Sequence, residues 1–182
     1  MKKRGMYAAA SAVFTVLVCI FIWRVYCVNA AYPKAVLEEH SVGEEFSWQD
    51  FDVKVVSYDI LNNEQVREQW GVSDTTGIEN DDLIIAAIEV TYKGEEESKK
   101  FPIVKVKGQA GAWYNSSELI CVKAFNDNNT VCQKNVTRTL YTAIGISRKR
   151  MTGTQIESMK RDGIQLVFQT YPDVVYVNLV GK

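Results

Sequence analysis

From Met6 to Trp23 apolar residues run almost without interruption; beyond residue 37 they alternate with polar ones in short blocks. The first pattern predicts a helix of about 27 Å, close to the thickness of a bilayer core. The second predicts strands, because successive side chains of a strand point to opposite faces. In EEHSVGEEFSWQDFDVKVVSYDIL, residues 38–61, Gly43 and Gln49-Asp50 punctuate two strands. In the second of these, Phe51, Val53 and Val55 share a face, and then Val56, Tyr58 and Ile60 continue with the period slipped by one. That slip predicts a β-bulge or a change of buried side.

NNEQVREQWG, residues 62–71, reads as a short helix with an Asn cap and a Gly stop, packing Val66 and Trp70 over one end of a sheet. LIIAAIEVTYKG, residues 83–94, is the strongest strand, and its apolar start predicts burial on both faces. SKKFPIVKVKG then returns as its partner, with Pro102 at an edge or a strand start. The stretch from Cys121 to Cys132 reads as a hairpin turning at Asn126-Asp127 or across Asn126 to Asn129. TRTLYTAIGIS is a further strand. TGTQIESMKRDG is a helix with Thr154 and Glu157 at capping-box spacing, Ile156 and Met159 on one face and Gly163 at its end. The last segment, IQLVFQTYPDVVYVNLV, is two strands parted at Tyr171-Pro172-Asp173. Seven to nine strands and one or two short helices make the fold mainly β, an antiparallel β-sandwich preceded by a single apolar helix.

The flanks of that helix add a direction. Lys2, Lys3 and Arg4 precede it, which by the positive-inside rule predicts a cytoplasmic N-terminus and an extracellular C-terminal domain. The resulting division is residues 1–5 as a basic cytoplasmic start, 6–28 as a transmembrane signal-anchor, 29–37 as a juxtamembrane connector and 38–182 as the extracytoplasmic domain. A cleaved signal peptide, with a small-residue site at Val28-Asn29-Ala30, is the competing reading and would yield a secreted protein. Neither Cys19, after Val18, nor Cys27, after Tyr26, has the small preceding residue of a lipid-attachment site.

Composition narrows the function classes. The formal net charge of −1 and the lack of a basic stripe argue against a nucleic-acid partner. Within the domain, Arg148-Lys149-Arg150 is the basic cluster of note and reads as solvated surface. His40 is the single histidine, so a Ser-His-Asp triad or a two-histidine zinc site is hard to assemble. A sortase-like cysteine transpeptidase would cast Cys132, His40 and Arg138, yet the residues before Cys132 are Asn128-Asn129-Thr130-Val131, not the Thr-Leu-x-Thr of that nucleophile strand. GIENDD (77–82) and FNDNN (125–129) offer oxygen ligands without the order of an EF-hand loop. The expectation is therefore a non-enzyme with no cofactor and no metal site.

Three features remain as candidates. Cys121 and Cys132 form a disulfide or stay as two half-buried thiols. Trp113-Tyr114, after a Gly-rich bend, is either a loop-borne aromatic pair that grips a peptide or glycan partner, or core packing. Asn115, Asn128 and Asn135 head N-glycosylation sequons, meaningful only in a eukaryotic secretory pathway.

The basic start and single apolar segment, the Tyr32-Pro33 connector, Val42-Gly43-Glu44 leading into FDVKVVSYDIL, and the close IQLVFQTYPDVVYVNL together resemble a family. They are similar to the small, membrane-anchored, immunoglobulin-like extracytoplasmic domains of unknown function in Gram-positive bacteria. The resemblance covers most of the chain and implies an immunoglobulin-like sandwich held outside the cell by one anchor. The family often carries Trp in the late helix, where this chain has Met159, and has no signature cysteine pair. It supplies no functional residue to carry over. The expected role is a binding or accessory module at the cell envelope, with an envelope protein or peptide as partner.

Overall fold

The computed structural model describes residues 2–32, 34–72 and 81–179, and side chains at residues 11–32, 34–72, 82–161 and 163–179. Two compact units are present, residues 1–36 and 37–182. The first is helix α1 (Lys2–Ala31). Its segment Ser11–Ala31 has a mean hydropathy of 2.1 and is long and apolar enough to cross a membrane. Its side chains there are exposed except for half-buried Cys27, with no apolar stripe of the kind that would pack against a core.

The second unit is mainly β. Its strands are β1 (Val36–Ser41), β2 (Glu45–Trp48), β3 (Phe51–Leu61), β4 (Asp81–Tyr92), β5 (Ser98–Lys100), β6 (Lys107–Ala110), β7 (Trp113–Ser116), β8 (Val131–Gln133), β9 (Thr137–Ser147), β10 (Ile164–Gln169) and β11 (Asp173–Leu179). Helices α2 (Asn63–Trp70), α3 (Leu119–Phe125) and α4 (Gly153–Asp162) and a 3-10 turn at Ile103–Lys105 join them. A five-stranded sheet, ordered β1-β11-β10-β6-β7, and a four-stranded sheet, ordered β2-β3-β4-β9, supply the two main layers; β5 and β8 pair separately. The main core draws Val53, Ile88 and Ile144 from one sheet and Leu166 and Val177 from the other, all at most 0% exposed. The architecture is thus an antiparallel β-sandwich.

The slip in β3 is a bulge. Val55 opposes Ile88 and Ser57 opposes Ala87, leaving Val56 unpaired. The extra residue keeps Tyr58 and Ile60 against the same core as Phe51, Val53 and Val55. Strand β4 is buried on both faces, as its apolar run predicts. Ile84, Ala86, Ile88 and Val90 enter the main core; Leu83 and Ile85 join Val66, Val72, Cys121, Phe125 and Ala143 in a second cluster beneath α2 and α3.

Helix α2 begins and ends as its sequence dictates. The Asn62 side chain accepts from the Gln65 N–H, Gln65 reciprocates, and Gly71 closes the helix in the left-handed region at φ 63°. Helix α4 is also present, but its cap is Thr152 with Gln155, two residues earlier than Thr154 and Glu157. Both pairs have acceptable spacing, and the Ser147 carbonyl, which accepts from the Arg150 and Met151 N–H groups, fixes the turn that selects the earlier one.

Two expectations are corrected. SKKFPIVKVKG does not pair with β4, whose neighbours are β3 and β9; β5 pairs with β8 instead. Phe101 and Ile103 follow as core plugs, 0% and 1% exposed. The Cys121–Cys132 hairpin is absent, because Leu119–Phe125 is helix α3. Cys121, Val122 and Phe125 form its buried face, a helical spacing hidden inside a short apolar run. Asn126 then stitches this helix to β9: its Nδ2 donates to the carbonyls of Val122 and Tyr141, and its Oδ1 accepts from the Tyr141 N–H.

Candidate binding clefts

The β6–β7 hairpin turns at Gly111, where φ of 54° favours a residue without a Cβ. Beyond the turn the alternation of β7 separates Trp113 from Tyr114. Trp113 is half-buried against the main core, and Tyr114 is exposed with the Lys107 ammonium 5.0 Å from its ring centre. The expected aromatic pair is therefore split across a strand. Gly108, on β6, makes room for the Trp113 ring, since a Cβ there would lie 2.7 Å from it.

Trp113 lines a cleft of about 310 Å³ between this hairpin and α4, whose other walls include Ala112, Met151, Gln155, Met159 and Gly163. Trp, two Met side chains and a glutamine give a mostly apolar recess with polar rims, the usual make-up of a small-ligand or side-chain pocket. On the other flank of Met151, a cleft of about 270 Å³ is lined by Asp82, Arg148, Ile156, Glu157 and Lys160. Asp82 is 3% exposed. Its Oδ1 accepts from Arg148 Nη2 at 2.7 Å and its Oδ2 lies 3.8 Å from Lys160 Nζ. So Arg148, expected as solvated surface, neutralises a buried carboxylate. Of the oxygen ligands in GIENDD, residues 77–80 lie outside the described residues and Asp82 is committed to cations. No group of three metal-ligating side chains occurs among the described residues.

His40 is more constrained than a surface histidine. Nε2 is 2.9 Å from Glu38 Oε1, Nδ1 is 2.9 Å from Glu44 Oε1, and the ring stacks on Phe46 at 4.3 Å. Burial by itself depresses the imidazole pKa. The hydrogen bonds and charges of Glu44 and Glu38 outweigh burial and raise it above the ordinary value. The charged imidazole in turn holds the Glu44 carboxyl below its usual range. Short-range sequence spacing, Glu38-x-His40 and His40-x-x-x-Glu44, was the available signal for this clasp.

Cys121 and Cys132 are free, fully buried thiols, Cys121 in the second cluster and Cys132 in the main core. Burial, reinforced by the Glu118 charge, pushes the Cys121 thiol up to about 11. Burial also raises Cys132, against the opposing charge of Arg138. Arg138 spends its guanidinium on the Val131 and Asn129 carbonyls, at 2.9 Å each. Of the residues cast for a cysteine transpeptidase, Arg138 lies near enough to act on the Cys132 thiol, while His40 is held by two glutamates. Of the sequon residues, Asn115 donates its Nδ2 to the Gly145 carbonyl at 2.7 Å, whereas Asn128 and Asn135 sit exposed at turns with positive φ.

A further cleft, of about 230 Å³, lies beside Trp48, Lys105, Lys107, Phe168 and Gln169. Trp48 is 2% exposed, and its Nε1 has no hydrogen-bond acceptor among the described residues. A buried donor left unsatisfied costs about 1–3 kcal/mol. Strand β2 buries Phe46 and Trp48 in alternation, and no local sequence pattern marks the Trp48 N–H as unpaired.

No protein-family model matches the chain, and no curated protein matches it significantly. Among solved structures, a functionally unknown protein from Listeria monocytogenes EGD-e is similar, at a TM-score of 0.52 and 9% identity, over 78% of this chain and 84% of its own. An uncharacterized β-sandwich protein from Clostridium difficile 630 aligns at a TM-score of 0.48 and 9% identity, over 80% of this chain and 96% of its own. At such identities the Listeria likeness speaks to the fold alone, and it agrees with the mainly β, two-sheet architecture.

Proposed function

We propose that this chain is a single-pass membrane protein, its N-terminus cytoplasmic and its C-terminal domain extracellular, that acts as a non-catalytic binding or accessory module at the cell envelope. The observation that carries this reading is α1: the segment Ser11–Ala31, with its mean hydropathy of 2.1 and exposed side chains, needs an apolar surrounding. Lys2, Lys3 and Arg4 supply the direction. The sandwich is read as immunoglobulin-like, of the kind borne by Gram-positive bacteria, on the strength of the sequence resemblance and the two face-to-face antiparallel sheets. An absence of catalysis is favoured by the raised thiol pKa values and by the engagement of His40 with two carboxylates. Partner capture is assigned to the recess between α4 and the β6–β7 hairpin, where Trp113 and the methionines offer an apolar seat for a side chain of an envelope protein or peptide.

Cell fractionation combined with protease shaving of intact cells tests the topology. The expected result is a full-length protein in the membrane fraction whose residues 38–182 are removed by external protease. A mature protein in the medium beginning near Ala31 overturns the anchor. For the partner seat, crosslinking from position 155, on the wall of the recess, on intact cells is expected to trap an envelope component that is lost when Trp113→Ala is added.

A further inference from the structure

The cleft beside Trp48 is chemically one-sided. Lys105 and Lys107 are its charged lining residues, and neither forms an ion pair with a described carboxylate. Lys105 is exposed, and the Lys107 ammonium rests over the Tyr114 ring. The indole N–H of Trp48 adds a third donor that lacks an acceptor. Phe168 and Val167, both nearly fully buried, form the apolar part of the lining. The cleft is thus lined by two residues bearing cations and one bearing an orphaned neutral donor, with no lining acid, a set complementary to an anion.

We propose that this cleft binds a small carboxylate-bearing ligand. One carboxylate oxygen takes the Trp48 N–H and the other lies toward Lys105 and Lys107, with the apolar body of the ligand against Phe168. A carboxylate suits three donors and an apolar wall; a tetrahedral phosphate would leave oxygens facing hydrocarbon. The volume admits a body of about one side chain, below the range of drug-sized ligands. Nε1 is closed to bulk solvent, so the lining around Trp48 must open for the ligand to reach it. This site is separate from the α4 recess and does not depend on the anchor.

The test uses the ¹⁵N-labelled full chain in detergent micelles, following the four tryptophan indole N–H resonances. Trp48 is assigned by Trp48→Phe or, if that variant does not fold, by elimination with Trp23→Phe, Trp70→Phe and Trp113→Phe. The probes are the dipeptide Gly-Phe, its C-terminal amide, benzoate and inorganic phosphate. The Trp48 signal is expected to shift saturably with Gly-Phe or with benzoate and not with the amide. Response to Gly-Phe alone identifies a peptide terminus as the source, and response to benzoate a small organic acid; both support a carboxylate site. Lys105→Ala with Lys107→Ala should weaken the response about ten-fold or more while the rest of the spectrum is retained. Equal shifts with acid and amide, a shift with phosphate alone, or no saturable shift up to about 10 mM of any probe overturns the proposal.

Discussion

Arg148 Nη2 donates to Asp82 Oδ1 at 2.7 Å, joining a guanidinium that is 58% exposed to a carboxylate that is 5% exposed. The two residues lie 66 positions apart, one at the start of β4 and the other just after β9, strands that pair along their whole length. A carboxylate at such a depth is tolerated only when a cation reaches it from the solvent side.

Removing that cation should therefore be felt. Arg148→Ala is expected to lower stability by about 1–2 kcal/mol, less than for a fully buried pair because Arg148 is largely in water. Adding Lys160→Ala should cost more than the two single changes summed, since Asp82 is then left unpaired. Urea unfolding of the full chain in detergent, followed by near-ultraviolet circular dichroism, reads both.

The His40 clasp sets a pH dependence of definite sign. His40 has its pKa raised on folding, so its contribution to stability is complete below its unfolded value, about 6.5, and is lost as pH rises through the folded value. Glu44 is depressed, so its contribution is present above its unfolded value, about 4.5, and is lost as pH falls through the folded one. The urea midpoint should decline from about pH 6 to pH 8 in the native protein. His40→Gln should flatten that decline; an unchanged slope would disprove the assignment.

The cysteines should sort by burial. Cys121 and Cys132 are expected to resist a maleimide in the folded protein at pH 7 and to react on denaturation, because burial raises both thiols. Mass spectrometry before and after guanidinium treatment counts them. Rapid labelling of Cys132 in the native protein would contradict its 0% exposure.

Gly108→Ala tests the seat of Trp113. The added Cβ would meet two ring atoms at 2.7 and 2.9 Å and Ile144 at 3.0 Å. The ring must leave its place, lowering stability by about 1–3 kcal/mol and disturbing the α4 recess. A fall in melting temperature together with a changed Trp113 indole resonance is the expected result.

Local rules carried the sequence a long way. The apolar run of α1, the bulge at Val56, the double burial of β4, the capped helix at Asn63–Trp70 and the closing β10–β11 hairpin all rest on side-chain period and cap chemistry. Those signals act within about a dozen residues, so a reader of the chain meets them complete. The α4 cap was displaced by two residues because two equivalent spacings overlap at Thr152 and Thr154.

What tertiary structure decided is everything that depends on which distant segments meet. The strand order across two sheets, the pairing of β5 with β8 and the helical state of Leu119–Phe125 follow from core space, for which a three- or four-residue apolar run is equally fit as strand or helix. The same holds for function. Sequence by itself determined the apolar segment and its basic flank; the parting of Trp113 from Tyr114, the cations on Asp82 and the unpaired Trp48 N–H were settled only when packing fixed their neighbours. Hydrogen bonding and charge pairing are short-ranged in space and indifferent to distance along the chain.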